Sequence, residues 1–434
     1  MSKKQVSPWA WVPSLYFGQG IPYVVAATTF SMIMYKKLGI SNADAALYTS
    51  WLYLPWVIKP FWSPFVDLFK TKRWWVVSMQ FIMGVALAGV GFCIPAPFFF
   101  QSTLAILWLI AFSSATHDIA ADGFYMLALD EHKQSLFVGI RSTFYRIAQI
   151  VGQGLLVILA GYLEQKFNNI ALAWSVTFYG IAAFFICIAI YHYFILPKPN
   201  NDKPAAGDTY PIKGFISTFA SFFQKKEIIL SLAFVLLYRL GEAQLVKIAS
   251  PFMLDPINKG GLGLSTSDVG FVYGTVGIIA LTVGGILGGI AAATYGLKNC
   301  LWIMVLAMNI PNFVYVYFAY TQPTNYAIIC SGVAIEQFGY GFGFTAFMLY
   351  LIYISQGEFK TAHYAICTGF MALGMMLPGL GAGILQESIG YLNFFIWVCI
   401  CTIPGFILTA FLKIDKQFGI KQKNNYLLNN KSSN

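Results

Sequence analysis

Pro197-Lys-Pro199-Asn-Asn-Asp202-Lys-Pro204-Ala-Ala-Gly-Asp208-Thr-Tyr-Pro211-Ile-Lys213 lies between two long apolar tracts, and its composition decides how the chain divides. Prolines among Lys, Asn and Asp offer no apolar face and interrupt helix, so residues 197–226 read as a connecting segment. On its N-terminal side, a window of about 19 residues finds apolar runs at Trp11–Tyr35, Ala45–Val66, Trp74–Ile94, Ser102–Leu129, Leu136–Tyr162 and Leu172–Leu196. On its C-terminal side the runs are Ile228–Leu254, Val269–Ala293, Cys300–Tyr320, Asn325–Ile354, Ala362–Gln386 and Leu392–Leu412. Each is long enough for the hydrocarbon core of a bilayer. The expected architecture is an all-α membrane protein of twelve transmembrane helices. It comprises a six-helix bundle over 1–196, a cytoplasmic linker over 197–226, a second six-helix bundle over 227–413 and a polar C-terminal tail over 414–434.

Composition points the same way. The 434 residues are 58% hydrophobic and 10% charged, with a mean hydropathy of +0.66, whereas a soluble domain carries about 25% charged residues. A water-soluble body of this size would lack the side chains to face solvent. The net charge of +10 sits in short loops and forms no stripe on one element, which argues against nucleic acid as a partner. With the N-terminus inside, nineteen Lys and Arg fall on the cytoplasmic side, four outside (Lys36, Lys37, Lys166, Lys259) and four within spans (Lys59, Arg146, Arg239, Lys247). The positive-inside bias therefore expects both termini in the cytoplasm. The seven cysteines lie in or beside apolar runs without metal-ligand spacing, so neither a metal nor a cofactor is expected. The two halves also resemble each other. Leu38-Gly-Ile-Ser41 recurs as Leu262-Gly-Leu-Ser265 at an offset of 224 residues, and Gly161-Tyr-Leu-Glu164 as Gly383-Ile-Leu-Gln386 at an offset of 222.

Charges inside the spans carry the functional information, because each costs about 3 kcal/mol to insert. Asp118 and Asp122 are one turn apart on the fourth span and share a face. Their mutual repulsion makes them the expected proton-coupling pair, with Arg146 and Lys59 as natural partners; a structural tether among helices is the alternative. The seventh span carries Arg239, Glu242 and Lys247, and the tenth carries Glu336 beside Gln337 and a Gly339-x-Gly341-x-Gly343 run. His117 adjoins Asp118 but points to another face. Tyr16, Tyr23, Tyr145 and Tyr238 lie near these polar positions. Rings combined with carboxylates and guanidinium suit a sugar, which presents an apolar face and a hydroxyl rim. The expected substrate-binding set is Arg146, Arg239, Glu242, Glu336, Lys59, Tyr145 and Tyr238.

After the second span, Ser63-Pro-Phe-Val-Asp67-Leu-Phe-Lys70-Thr-Lys72-Arg73 resembles the signature of the major facilitator transporters. There an acid at the inner end of a helix can rest against the positive end of a neighbour, here near Thr361, and hold one conformation. Asp67, Lys70 and Arg73 are the expected gating residues. A plain basic loop would account for the bases but not for the acid at that offset. In the second half Ala293 stands in the acid's place. Gly284, Gly285, Gly288 and Gly289, with Gly379 and Gly383, form small-xxx-small pairs that permit close helix approach.

Taken together, these residues resemble the AmpG family of muropeptide permeases from Gly18 to about Phe411. The likeness rests on Gly20-Ile-Pro22, Lys59-Pro-Phe-Trp62-Ser-Pro64 with Asp67, Ser114-Ala-Thr-His-Asp118-Ile-Ala-Ala-Asp122 and Tyr145-Arg146. It continues through Leu237-Tyr-Arg239-Leu-Gly-Glu242, Glu336 and Ile403-Pro-Gly405. The resemblance implies a major facilitator fold with two six-helix pseudo-repeats. It also implies import of amino-sugar peptidoglycan fragments across the cell inner membrane of a Gram-negative bacterium. The expected partners are an amino sugar or muropeptide, protons and the lipid bilayer, with the chain acting as a monomer. Four positions depart from the family pattern: Arg239, Glu242, His117 and Lys247, the last adding a cation. An acetyl-CoA or other anionic-metabolite carrier is the nearest alternative, and a non-transporting nutrient sensor another. Drug export fits less well, because Gly152-Gln-Gly154-Leu-Leu-Val lacks the Gly-Pro break of those antiporters. No nucleophile has a base at a motif spacing, so an enzyme is not expected.

Overall fold

The computed structural model describes residues 6–203, 219–357, 360–416 and 418, without the side chains of 64–65, 67–68, 131–132, 134–136, 138–139 and 360–362. Much of the linker and nearly all of the tail named above lie outside these residues. Among the described residues the chain is helical and contains no strand. Among the described residues nine helical stretches are long and apolar enough to cross a membrane.

Two further apolar segments are interrupted. Residues 12–37 form α1 (Val12–Ala27) and α2 (Thr29–Lys37), parted by Thr28 at φ −117°, ψ −151°. Thr28 Oγ1 donates to the Val24 carbonyl at 2.8 Å and so competes with the helical ladder. Residues 42–68 form α3 (Asn42–Trp51) and α4 (Leu54–Leu68), where Pro55 removes the amide that would bond to Trp51. Then follow α5 (Lys72–Cys93), α6 (Phe99–Ala128), α7 (Glu131–Ile150), a π turn at Val151–Leu155, α8 (Leu156–Phe167) and α9 (Ile170–Ile195). The second half holds α10 (Ile228–Leu237), α11 (Leu240–Leu254), α12 (Thr266–Val269), a π segment at Gly270–Gly277 and α13 (Ile278–Tyr295). It ends with α14 (Leu297–Asn309), α15 (Phe313–Thr321), α16 (Tyr326–Ser355), α17 (Lys360–Ile400) and α18 (Ile403–Phe411). α17 turns at Gly390, whose φ of 75° and ψ of 168° only a residue without Cβ adopts readily.

The same local devices occur in both halves. Ser41 accepts from the Asp44 amide at 3.0 Å, and Ser265 from the Asp268 amide at 3.1 Å, so each caps a helix after a Leu-Gly-x-Ser or equivalent turn. Gly161 on α8 and Gly383 on α17 close on these caps. A Cβ at Gly161 would lie 2.4 Å from Ser267 Oγ, and one at Gly383 only 2.2 Å from the Asn42 carbonyl. Around these approaches, on the face away from Trp11 and Leu412, polar bonds join the halves. Lys36 pairs with Asp255 at 2.8 Å, Tyr391 donates to Asp255 at 2.5 Å, and Asn42 donates to Gln386 at 2.7 Å and to Tyr391 at 3.0 Å. Glu164 pairs with Lys37 at 3.2 Å while accepting from Thr266 at 2.8 Å. Deeper in, the two π segments cross: a Cβ at Gly274 would lie 1.9 Å from the Gln153 carbonyl oxygen. The structure is therefore closed at this face.

At the opposite end the linker is fastened. The Asp202 carboxylate accepts from the amides of Lys72 and Arg73 at 2.7 and 3.0 Å, an acid satisfying free donors at the N-terminus of α5. Lys225 donates to the carbonyls of Ile354 and Gln356 at the C-terminus of α16. Gly284 and Gly288 pack against the carbonyls of Phe338 and Phe342 on α16, whereas Gly289 meets nothing within 4 Å.

Candidate functional site

The two aspartates of α6 each have their own cation in the first half. Asp118 accepts from Trp56 Nε1 at 3.1 Å and lies 3.7 Å from Lys59 Nζ. Trp56 and Lys59 are three residues apart on α4, so one helical face delivers both. Asp122 accepts from the Tyr16 hydroxyl at 3.1 Å and pairs with Arg141 at 3.3 Å. The Arg141 guanidinium sits 4.7 Å above the Tyr16 ring and 5.1 Å above that of Tyr125, which fixes it by cation–π attraction.

The expected partnership between Arg146 and the aspartates is thus corrected. Arg141 takes that place because five residues along a helix turn Arg146 to another face. There its guanidinium comes within 3.6 Å of the Cβ position of Gly285 on α13. Among the described residues Arg146 has no carboxylate within ion-pair distance. Tyr145, half-buried beside it, feels the charges of Asp118 and Asp122. Tyr23 on α1 meets Trp56 edge-on at 5.2 Å and Tyr53 at 6.1 Å, completing an aromatic wall in the first half.

In the second half Arg239 lies at the break between α10 and α11. Its guanidinium stands over Tyr340, Phe344 and Phe347 at 5.3, 4.8 and 5.9 Å and donates to the Tyr340 hydroxyl. Those rings recur at helical spacing and form one face of α16. Glu242 is 1% exposed and Glu336 0% exposed. Glu336 accepts from Gln337 at 3.0 and 3.3 Å, while among the described residues neither oxygen of Glu242 has a hydrogen-bond partner. Lys247 crosses to the first half. It donates to the Ala27 carbonyl at 3.3 Å and to Thr49 Oγ1 at 3.1 Å, with the Tyr53 ring 5.1 Å away. The break at Thr28 leaves carbonyls of α1 without intrahelical partners, and the ammonium satisfies one of them.

Other expected residues lie elsewhere. Tyr238 donates to the Gly343 carbonyl at 3.0 Å and stacks on Phe347 at 5.4 Å, so it packs inside the second half. His117 bonds to Gln80 at 3.0 Å; Gln80 bonds in turn to His192 at 2.9 Å, and His192 to Ser14 at 2.9 Å, stitching four helices of the first half. Of the expected gating residues, the side chain of Asp67 lies outside the described residues. Lys70 is exposed with φ at 63°, and Arg73 is held by the carbonyls of Leu196 and Tyr193 in its own half. Among the described residues no group of His, Cys, Asp and Glu could hold a metal ion. The reading of isolated spans passed over Arg141, Trp56 and Tyr53. Trp56 was within reach, since a ring three residues before an intramembrane lysine shares its face.

Apolar helices of membrane length that enclose paired charges define a multi-pass α-helical membrane transporter. The chain belongs to the Major Facilitator Superfamily, whose family model matches residues 14–356. It is 27% identical over 415 residues to a chain of Rickettsia conorii (strain ATCC VR-613 / Malish 7) that bears the name AmpG 4, covering 91% of this chain and 93% of that one. It is 26% identical over 403 residues to the anhydromuropeptide permease of Escherichia coli (strain K12), covering 91% and 77%. The fold matches that of the solved nucleoside transporter NupG with a TM-score of 0.71 at 17% identity, over 93% of this chain and 98% of that one.

Proposed function

We propose that this transporter imports amino-sugar fragments of peptidoglycan, anhydro-muropeptides or related amino sugars, across the cytoplasmic membrane together with protons. The observation that carries this reading is the wall formed by Tyr23, Tyr53 and Trp56 beside the Asp118–Lys59 pair. Indole and phenol faces suit the apolar side of a pyranose, and the ion pair suits its hydroxyl rim. Arg146, with no carboxylate partner among the described residues, supplies a cation for an acidic group of the fragment. The 26% identity to an anhydromuropeptide permease supports the same cargo. An anionic metabolite such as acetyl-CoA is a second reading, favoured only by Arg146.

The nine long helices become twelve spans when residues 12–37 and 42–68 are each counted as one and α17–α18 is divided at Gly390. The repeated caps and close approaches support two six-helix repeats, with both termini cytoplasmic and cargo released inward from the state described. Asp118 and Asp122 act as proton acceptors when Lys59 and Arg141 withdraw. The deciding measurement is uptake of labelled anhydro-muropeptide, free amino sugar and acetyl-CoA into right-side-out vesicles, with and without an inward proton gradient. Accumulation of acetyl-CoA alone, or uptake indifferent to the gradient, would sink this reading.

Asp67 is proposed to hold the cytoplasmic end of α4 against a neighbouring helix. Asp67→Asn is expected to lower turnover about tenfold, equivalent to 1.4 kcal/mol, with cargo affinity nearly unchanged. Equal loss of affinity in the purified variant would show that the acid touches cargo instead.

A further inference from the structure

Glu242 on α11 and Glu336 on α16 are enclosed within the second half, more deeply than the aspartates of α6. They interact electrostatically with each other. The groups facing them come from every surrounding element: Arg239 at the α10–α11 break, Tyr273 in the π segment, Tyr315 on α15, and Gln337 and Tyr340 on α16. Arg239 is the one cation among these; its Nη2 donates to the Tyr340 hydroxyl and its plane lies over three aromatic rings. Among the described residues several polar atoms here have no hydrogen-bond partner: both Glu242 oxygens, Arg239 Nε and, further along, both amide atoms of Asn312.

Two enclosed carboxylates, with Arg239 acting on Glu242 and no cation acting on Glu336 among the described residues, cannot both stay ionised. Removing a charge from water without donors is strongly opposed, and the second negative charge adds repulsion. A proton relieves both penalties, and it lets one carboxyl donate to an acceptor that otherwise has no partner. We propose that Glu242 and Glu336 form a proton-holding site of the second half, separate from Asp118 and Asp122, that keeps at least one proton at neutral pH while the outer face is closed. The part that proton plays in transport rests on the proposed function; its presence does not.

Infrared spectroscopy of the purified protein at neutral pH tests the proposal without cargo. The wild type should show the carbonyl stretch of a protonated carboxylic acid, shifted in heavy water. The band should persist in Asp118→Asn/Asp122→Asn and be lost in Glu242→Gln/Glu336→Gln. A wild type without the band, or a band that survives the glutamine pair, overturns the site. So does a band that appears only when sodium is replaced by choline, because the carboxyls would then hold a metal cation. If the glutamine pair does not fold, Glu242→Asp/Glu336→Asp keeps both acids one methylene shorter and should move the band; an unmoved band overturns the assignment. Failed vesicle uptake alongside the expected spectra would count against the cargo reading and leave the proton site standing.

Discussion

Asp118→Asn is expected to abolish proton-driven accumulation of cargo while leaving exchange of cargo between the two sides of the membrane intact. The neutral amide imitates a protonated carboxyl, so the variant behaves as a carrier that has already received its proton and cannot give it up. Trp56 Nε1 can still donate to the amide oxygen, so the α4–α6 contact persists, but Lys59 loses its counter-ion. The pair is partly buried, with side chains 31% and 14% exposed, so opening it is less costly than breaking a fully enclosed ion pair. That suits a bond made and broken in each cycle. Steady-state accumulation should fall at least about tenfold, or 1.4 kcal/mol of stored gradient. Asp122→Asn should act in the same direction, with Arg141 still held by the two tyrosine rings. A pure structural tether predicts a different result, in which expression and exchange fail together with accumulation. If both single variants still concentrate cargo on a proton gradient, the coupling belongs to Glu242 and Glu336.

The membrane-spanning character was legible because hydropathy over a long window depends on composition and not on neighbours. Its limits follow from the same fact. The break at Thr28 depends on a hydroxyl turning back on its own helix, and Lys247 reaches that break from the other half; no local pattern encodes this. The repeated turns were legible as Ser41 and Ser265, because a cap is a local bond between a side chain and an amide three residues on. The site was half legible. Asp118 and Asp122 share a face of one helix, but their partners come from α4, α1 and α7, and only the packing chooses Arg141 over Arg146. Tyr238 shows the converse: although it is next to Arg239 in sequence, it turns into the packing of the second half and donates to the Gly343 carbonyl.

Gly274→Val is expected to slow transport by one to two orders of magnitude while sparing cargo binding from the outer side. The crossing of the π segments leaves no space for a side chain. A Cβ at Gly274 would stand 1.9 Å from the Gln153 oxygen, 2.2 Å from its carbon and 2.4 Å from the Gly154 nitrogen. All three are backbone atoms, so no rotamer change can relieve the clash, and the halves must separate by more than about 1 Å to regain van der Waals distance. Overpacking of this kind costs about 1–3 kcal/mol, and it is felt only where the two halves touch. The population therefore shifts away from the closed outer face by a factor on the order of ten to a hundred, since strain confined to one state moves the equilibrium by its own magnitude. Gly289→Val is the matched control, because that position meets nothing within 4 Å and should transport near the wild-type rate. A cysteine in place of Ser267, which abuts Gly161 in the closed face, reports the shift directly in a background freed of native cysteines. Its labelling by an impermeant maleimide from outside should rise with Gly274→Val and not with Gly289→Val. Equal transport and equal labelling in the two variants would mean that the crossing at Gly274 does not close in the working cycle.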